Sequence, residues 1–372
     1  MWREGDTHTP LTGSPEQPRP KKCRRRRSFL GIAIVVVAAL ATGLLAAAGV
    51  FNSGRPSAGP AGPAPLPPIP NVKAPTHALT PYQIRAAYRL GPLAARGIDG
   101  AGQTIVIVDS FGSPTIASDL AFFDRYFGLP APPSFRVIQP AGPVPAYDSS
   151  DDNRVGWAGE ATLDVEWAHV MAPLASLVLV ETPTSENEGT TGFPDIVTAE
   201  NYVLAHRLGQ VITQSFAATE QTFPSVSSIM SFRGPYQLAE RNHVTVVAAT
   251  GDTGATANQF NMRDLYTSRT VSWPATDPLV TAVGGTQLSL RPDGTRQAAD
   301  IAWTGSGGGL SVAFPRPAYQ GGVQSMTGQK RGVPDVSMDA SCHSAVAVYG
   351  SFYPTGAQWS GACGTSLATP LF

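Results

Sequence analysis

Between Thr104 and Ala249 the chain repeats one pattern: a short aliphatic run, a loop, then a longer mixed stretch. The runs are Thr104 to Asp109, Leu174 to Val180, Val211 to Ser215 and Val244 to Ala249. Each is continuous rather than alternating, the pattern of a strand covered on both faces. The stretches between them predict helices over Pro114–Phe127, Asp195–Leu208 and Ser225–Arg241, with a short one at Pro81–Leu90. Strands that alternate with helices form a parallel sheet, so the fold class is α/β. In such sheets ligands and reacting groups gather at the carboxyl ends of the strands. Asp109, Ser215 and Asp252 stand there. Beyond Asp252 the pattern gives way to loops and short strands, punctuated by Gly284-Gly285-Thr286, Gly305-Ser306-Gly307-Gly308-Gly309 and Arg331-Gly332-Val333-Pro334-Asp335. There is no internal repeat.

The front of the chain is of another kind. Residues 1–28 read as a disordered cytoplasmic tail ending in a basic block, Lys21, Lys22 and Arg24 to Arg27. Residues 29–51 are apolar and uncharged. At ~1.5 Å rise per residue that run is long enough to cross a bilayer. The basic block before it holds the N-terminus inside and puts the remainder outside, giving a single-pass signal anchor. The alternative is a cleaved signal peptide at Ala46-Ala47-Ala48 and a secreted domain, although the run exceeds the ~7–15 residues usual for a signal core. Residues 52–75, rich in proline, form an extended linker. Residues 76–372 remain for one large globular domain. A single apolar run excludes a transporter or channel. A net charge of −1 with 14% charged residues gives no footing for nucleic acid. Cys23 lies in the basic block, while Cys342 and Cys363 either pair, bracing the loop before Ser366, or stand as two buried thiols.

Near the end comes Gly361-Ala362-Cys363-Gly364-Thr365-Ser366-Leu367-Ala368-Thr369-Pro370. It reads as a tight loop feeding a helix, with Thr365 or Ser366 as its cap. A serine at that end of a helix sits at the positive pole of the dipole, among backbone N–H groups, where a nucleophile belongs. Gly-Thr-Ser also occurs in ordinary turns, so its partners decide the reading.

Those partners are acids. Trp157 to His169 reads as a helix with Glu160 and Asp164 four residues apart, hence on one face, and its other residues are mostly apolar. Two carboxyls on a buried helix tend to hold a proton and to separate their pKa values, which suits acid–base work; on a solvated face they would mean nothing. Asp252 follows a buried strand, where it is either a site residue or a turn-closing Asx. His77, His169, His206, His243 and His343 lack glycine-flanked strand-to-helix settings, which leaves a carboxylate as the base for Ser366.

Taken together, Gly159-Glu160 to Asp164, Thr250-Gly251-Asp252-Thr253-Gly254 and Gly364-Thr365-Ser366 to Pro370 resemble the sedolisins, the serine-carboxyl peptidases. Trp273-Pro274-Ala275, Val283 to Thr286, Ser306 to Ser311 and Pro334 to Ser337 support the resemblance, in the same order, over roughly residues 78–372. It implies a subtilisin-like sheet with helices on both faces. It implies Ser366 as nucleophile, Glu160 as general base, Asp164 as the support of Glu160, and a protonated Asp252 as oxyanion donor. The substrate would be a peptide or protein, and the optimum would lie below about pH 5, where carboxylates titrate. Relatives of this kind carry a large prosegment and a calcium site near the C-terminus. Here only the linker precedes residue 76 and Phe372 lies six residues past Ser366, so the expectation is a shortened chain with no cofactor. The other readings are a subtilisin-like protease using Asp109, His169 and Ser366, and a catalytically inactive, membrane-anchored peptide-binding domain.

Overall fold

The computed structural model describes Ala74, Pro75 and residues 77–372. The basic tail, the apolar run 29–51 and nearly all of the linker lie outside the described residues. Among the described residues no helix is long and apolar enough to cross a membrane.

The aliphatic runs form the centre of a mainly parallel sheet. Its strands are β1 (Thr104–Ser110), β2 (Phe135–Ile138), β3 (Ser176–Thr182), β4 (Val211–Gln214), β5 (Thr245–Ala249), β6 (Thr281–Gln287) and β7 (Val336–Asp339). Their spatial order is β7-β6-β5-β4-β1-β3-β2, every neighbour parallel, with Ile301–Ala302 added antiparallel to β6. The helices that matter here are α1 (Pro81–Ala87), α2 (Ile116–Phe127), α3 (Asp152–Met171), α4 (Phe193–Ala205), α5 (Gly234–Arg241) and α6 (Thr365–Leu371). β1 shows why both faces must be covered. Val106 and Val108 pack with Ile196, Ala199 and Val203 of α4, while Ile107 packs with Ala161 and Val165 of α3. Each buried aliphatic side chain of this size contributes roughly 1.5–3 kcal/mol.

Helix α3 is longer than the sequence predicts. Asp151 caps it, accepting from the Asn153 N–H at 3.0 Å. From Glu160 to Val170 every residue is buried. A helix buried all round lies inside its domain. Trp167 donates to the Ala347 carbonyl at 3.1 Å and so ties α3 to a hairpin of Val346–Gly350 and Gln358–Ala362. That hairpin runs directly into the loop before α6.

Two expectations are corrected. The predicted helix 225–241 is two helices, Val226–Ser231 and α5. Pro235 has no N–H to donate to the preceding turn and instead takes the first turn of α5. The third strand begins at Ser176, two residues later than read. Beyond Asp252 the expected short strands are present, and two of them, β6 and β7, complete the main sheet. Gly284 and Gly285 sit inside β6 because Pro334, Ser306, Trp303 and Ala340 press on it: a Cβ at either glycine would lie 2.5–2.9 Å from a neighbour.

Candidate active site

The carboxyl ends of the strands and the buried face of α3 bring the sequence-predicted residues together. Glu160 and Asp164 lie one turn apart on α3, 8% and 0% exposed. The Ser366 side chain, at the start of α6, acts on the Glu160 carboxyl and favours its charge. Asp164 is held from the end of β4: the Ser215 hydroxyl lies 2.9 Å from Asp164 Oδ1 and 3.2 Å from the Ser366 carbonyl oxygen. Ser215 therefore touches both ends of the constellation. The sequence placed it at a strand end without a role, since only the fold reveals its two contacts.

The expected helix cap is corrected. Gly364, not Thr365 or Ser366, is the N-cap of α6, and no side chain of its own segment caps it. Asp252, from the loop after β5, fills that place. Its Oδ1 accepts the Thr365 N–H at 2.7 Å and the Thr365 hydroxyl at 2.8 Å. The same hydroxyl accepts from Gly251 N–H at 3.0 Å. The other oxygen, Oδ2, faces Gly364, whose φ is +115°; a Cβ there would lie 2.6 Å from it. Gly364 thus serves both the left-handed turn and the close approach of Asp252. One Asp252 oxygen is fixed to the helix start, and the other faces Gly364.

The electrostatics follow from burial. Glu160 and Asp164 are both held well above the ordinary carboxyl range, first by loss of water and then by the charge of Asp109. Ser366 and Ser215 pull the other way. One oxygen of each, Glu160 Oε1 and Asp164 Oδ2, is buried without a partner. Asp252 is raised by its crowded inner side, but its side chain also reaches solvent, so that effect is weaker than for Glu160 and Asp164 and is opposed by the two Thr365 bonds. Three acids that hold protons into a higher pH range surround one serine, and this can support proton transfer without a histidine.

Asp109 joins this group, but not in the setting that the Asp109–His169–Ser366 reading requires. It is fully buried at the end of β1, and its pKa is pushed up to about 8 by burial and then by Glu181. His169 faces elsewhere: its Nε2 lies 2.8 Å from the Pro130 carbonyl oxygen and 3.2 Å from Asp124 Oδ1. His169 is a packed bridge between α3 and the end of α2, so that reading loses its base. Cys342 and Cys363 are joined in a disulfide, Cα to Cα 5.0 Å, across the start of the hairpin and one residue before Gly364.

Among the described residues there is no group of three or more His, Cys, Asp or Glu that could hold a metal ion.

No family model matches the chain. It is similar to the tripeptidyl-peptidase sed4 of Aspergillus fumigatus, 30% identical over 301 residues, covering 68% of this chain and 45% of that protein. It is similar also to sedolisin of a Pseudomonas species, 26% identical over 286 residues (73% and 46%), and to tripeptidyl-peptidase 1 of the dog, 29% identical over 268 residues (69% and 44%). The chain thus spans a little under half the length of these relatives. Among solved structures, Pseudomonas sedolisin complexed with two molecules of pseudo-iodotyrostatin superposes with a TM-score of 0.64, at 24% identity over 81% of this chain and 79% of that one. That match shows the subtilisin-like fold.

Proposed function

The chain belongs to the sedolisin family, and from that premise we propose that it is a serine-type endopeptidase that hydrolyses peptide bonds at acidic pH. The observation that carries the reading is the convergence of Ser366, at the start of α6, with Glu160, with Asp164 one turn away and Asp252 across the helix start. Ser366 Oγ attacks the peptide carbonyl carbon while its proton passes to Glu160. The carbonyl oxygen gains the negative charge, and the protonated Oδ2 of Asp252 donates to it. Glu160 then gives its proton to the leaving amine as the C–N bond breaks. Water repeats the sequence on the acyl group, losing a proton to Glu160, and Ser366 recovers its own. Asp164, held by Ser215, keeps the partner charge of Glu160 shared rather than localised. A single oxyanion donor contributes about 3–4 kcal/mol to such a barrier.

Acid is the natural range for this machinery. Asp252 donates only while it keeps its proton, and the Glu160–Asp164 pair, which holds its protons upward in pH, needs to give up only one of the two for Glu160 to serve as base. The apolar run 29–51 would tether the domain outside the membrane, with a secreted form as the alternative.

The test is to incubate the full chain with an unstructured peptide at pH 4 and identify the products by mass. Internal fragments that vanish in Ser366→Ala support an endopeptidase. Tripeptides released only from the N-terminus would replace that specificity with an exopeptidase. Binding of the peptide without any product would support the anchored binding domain.

A further inference from the structure

Glu181 ends β3 in register with Asp109 of β1. Register neighbours in a parallel pair point to the same face, and here it is the face covered by α3. Neither oxygen of Asp109 has a partner. Glu181 has one: its Oε2 accepts from Gln139 Nε2, at the end of β2, at 2.8 Å. The chain folds back over the other oxygen at Phe111 and Gly112, whose φ values are +60° and +72°. A Cβ at Gly112 would lie 1.8 Å from Glu181 Oε1. A phenylalanine in the left-handed region is costly, and such strain persists where the surroundings impose it.

On its outer side Glu181 lines a cavity of about 420 Å³ together with Gln139, Ser113, Phe111, Tyr147 and Arg154. The cation there is spoken for. Arg154 lies over the Phe111 ring at 4.2 Å and donates to the carbonyls of Pro145 and Ala146. Tyr147 donates to the Phe352 carbonyl. The titratable groups facing Glu181 are thus Asp109 from β1, with Arg154 and Tyr147 on the cavity wall. Glu181 from β3 acts on Asp109, and Asp109 in turn acts on Glu160 and Asp164 of α3; its β4 neighbours offer no acid.

We propose that Glu181 is a positioning residue for the proposed site: the outer end of a carboxyl row Glu181–Asp109–Asp164–Glu160, whose charge, once formed, keeps the proton on Asp109. This rests on the peptidase reading above and extends it outward. Glu181 reaches the cavity, while Asp109 behind it is sealed in. Its charge then opposes that of the sealed Asp109. An uncharged Asp109 leaves Glu160 and Asp164 to share one negative charge between them without a third acid pressing on it.

Difference infrared spectroscopy of the full chain from pH 4 to 9 tests this through the carbonyl bands of protonated carboxyls. Asp109→Asn identifies the Asp109 band. The expected result is that this band titrates about one unit lower in Glu181→Gln than in the native chain. Gln139→Leu, which removes the donor that favours the Glu181 charge, moves it by less in the same direction and serves if Glu181→Gln does not fold. Glu240→Gln, an exposed acid, moves nothing. An Asp109 band that titrates at one pH in the native chain and in both variants overturns the proposal. The readout is protonation, not turnover. An inactive chain that shows the shift would sink the peptidase reading and leave this coupling standing.

Discussion

Helix α3 carries two groups of acids on different sides, and both are buried. On one side Glu160 and Asp164 meet the hydroxyls of Ser366 and Ser215. On the other, Glu166 accepts the Tyr349 N–H at 3.2 Å, and nearby Asp119 of α2 accepts the Ser351 N–H at 3.0 Å and its hydroxyl at 2.5 Å. Desolvation raises the pKa of all four. A raised pKa alone therefore does not mark a site. The difference is where the hydrogen bonds lead. The second group runs into the backbone of the hairpin and fastens it to α2 and α3. The first runs to a half-buried serine at the start of a helix, with Asp252 beside it and open to solvent.

That contrast can be broken by substitution. Glu160→Gln is expected to lower kcat by about 10²–10⁴-fold, the usual contribution of a general base. Asp119→Ala is expected to leave the pH profile in place and instead lower stability by about 1–3 kcal/mol, because two donors of Ser351 lose their acceptor. Thermal melts beside kinetics would separate the two. Reversed effects would mean that the two groups have been assigned the wrong way round.

Asp252 sharpens it further. Asp252→Ala is expected to lower kcat by about 10²–10³-fold. Asp252→Asn keeps an acceptor for Thr365 and a donor that no longer depends on pH. It is expected to retain more activity than Asp252→Ala and to extend the upper limb of the pH–rate profile. An unchanged upper limb in Asp252→Asn would remove Asp252 from the proposed oxyanion site.

Buried acids elsewhere in the fold, with Asp109, make stability depend on pH. Burial raises Glu188 to about 6, Asp339 to about 7, and Asp109, Glu186 and Glu200 to about 8. In the unfolded chain such groups titrate near pH 4. The folded form therefore holds more protons between pH 4 and 8, and stability falls as pH rises through that window. Below about pH 4 the stabilisation is complete; above about 8 it is gone. Melting temperature measured from pH 4 to 8 should fall steadily, and a rise would contradict the buried protons.

Much of this was legible in the chain itself. β1, β4 and β5 announce themselves as continuous aliphatic runs, because both of their faces are covered. Glu160 and Asp164 stand out as two acids one turn apart in an apolar helix. β2 did not, since Phe135-Arg136-Val137-Ile138 is an edge strand with an exposed arginine. β6 was hidden by the glycine pair that its packing demands. The contacts of Ser215, the cap that Asp252 lends to α6, and the pairing of Asp109 with Glu181 all depend on register between distant segments. No local pattern encodes them.

The most direct measurement is kcat/KM of the full chain on an unstructured peptide from pH 3 to 8, with Ser366→Ala as control. The account expects a maximum below about pH 5 that is absent in the variant, because the base and the oxyanion donor are both carboxyls. A maximum near pH 8, or hydrolysis that survives Ser366→Ala, would contradict it.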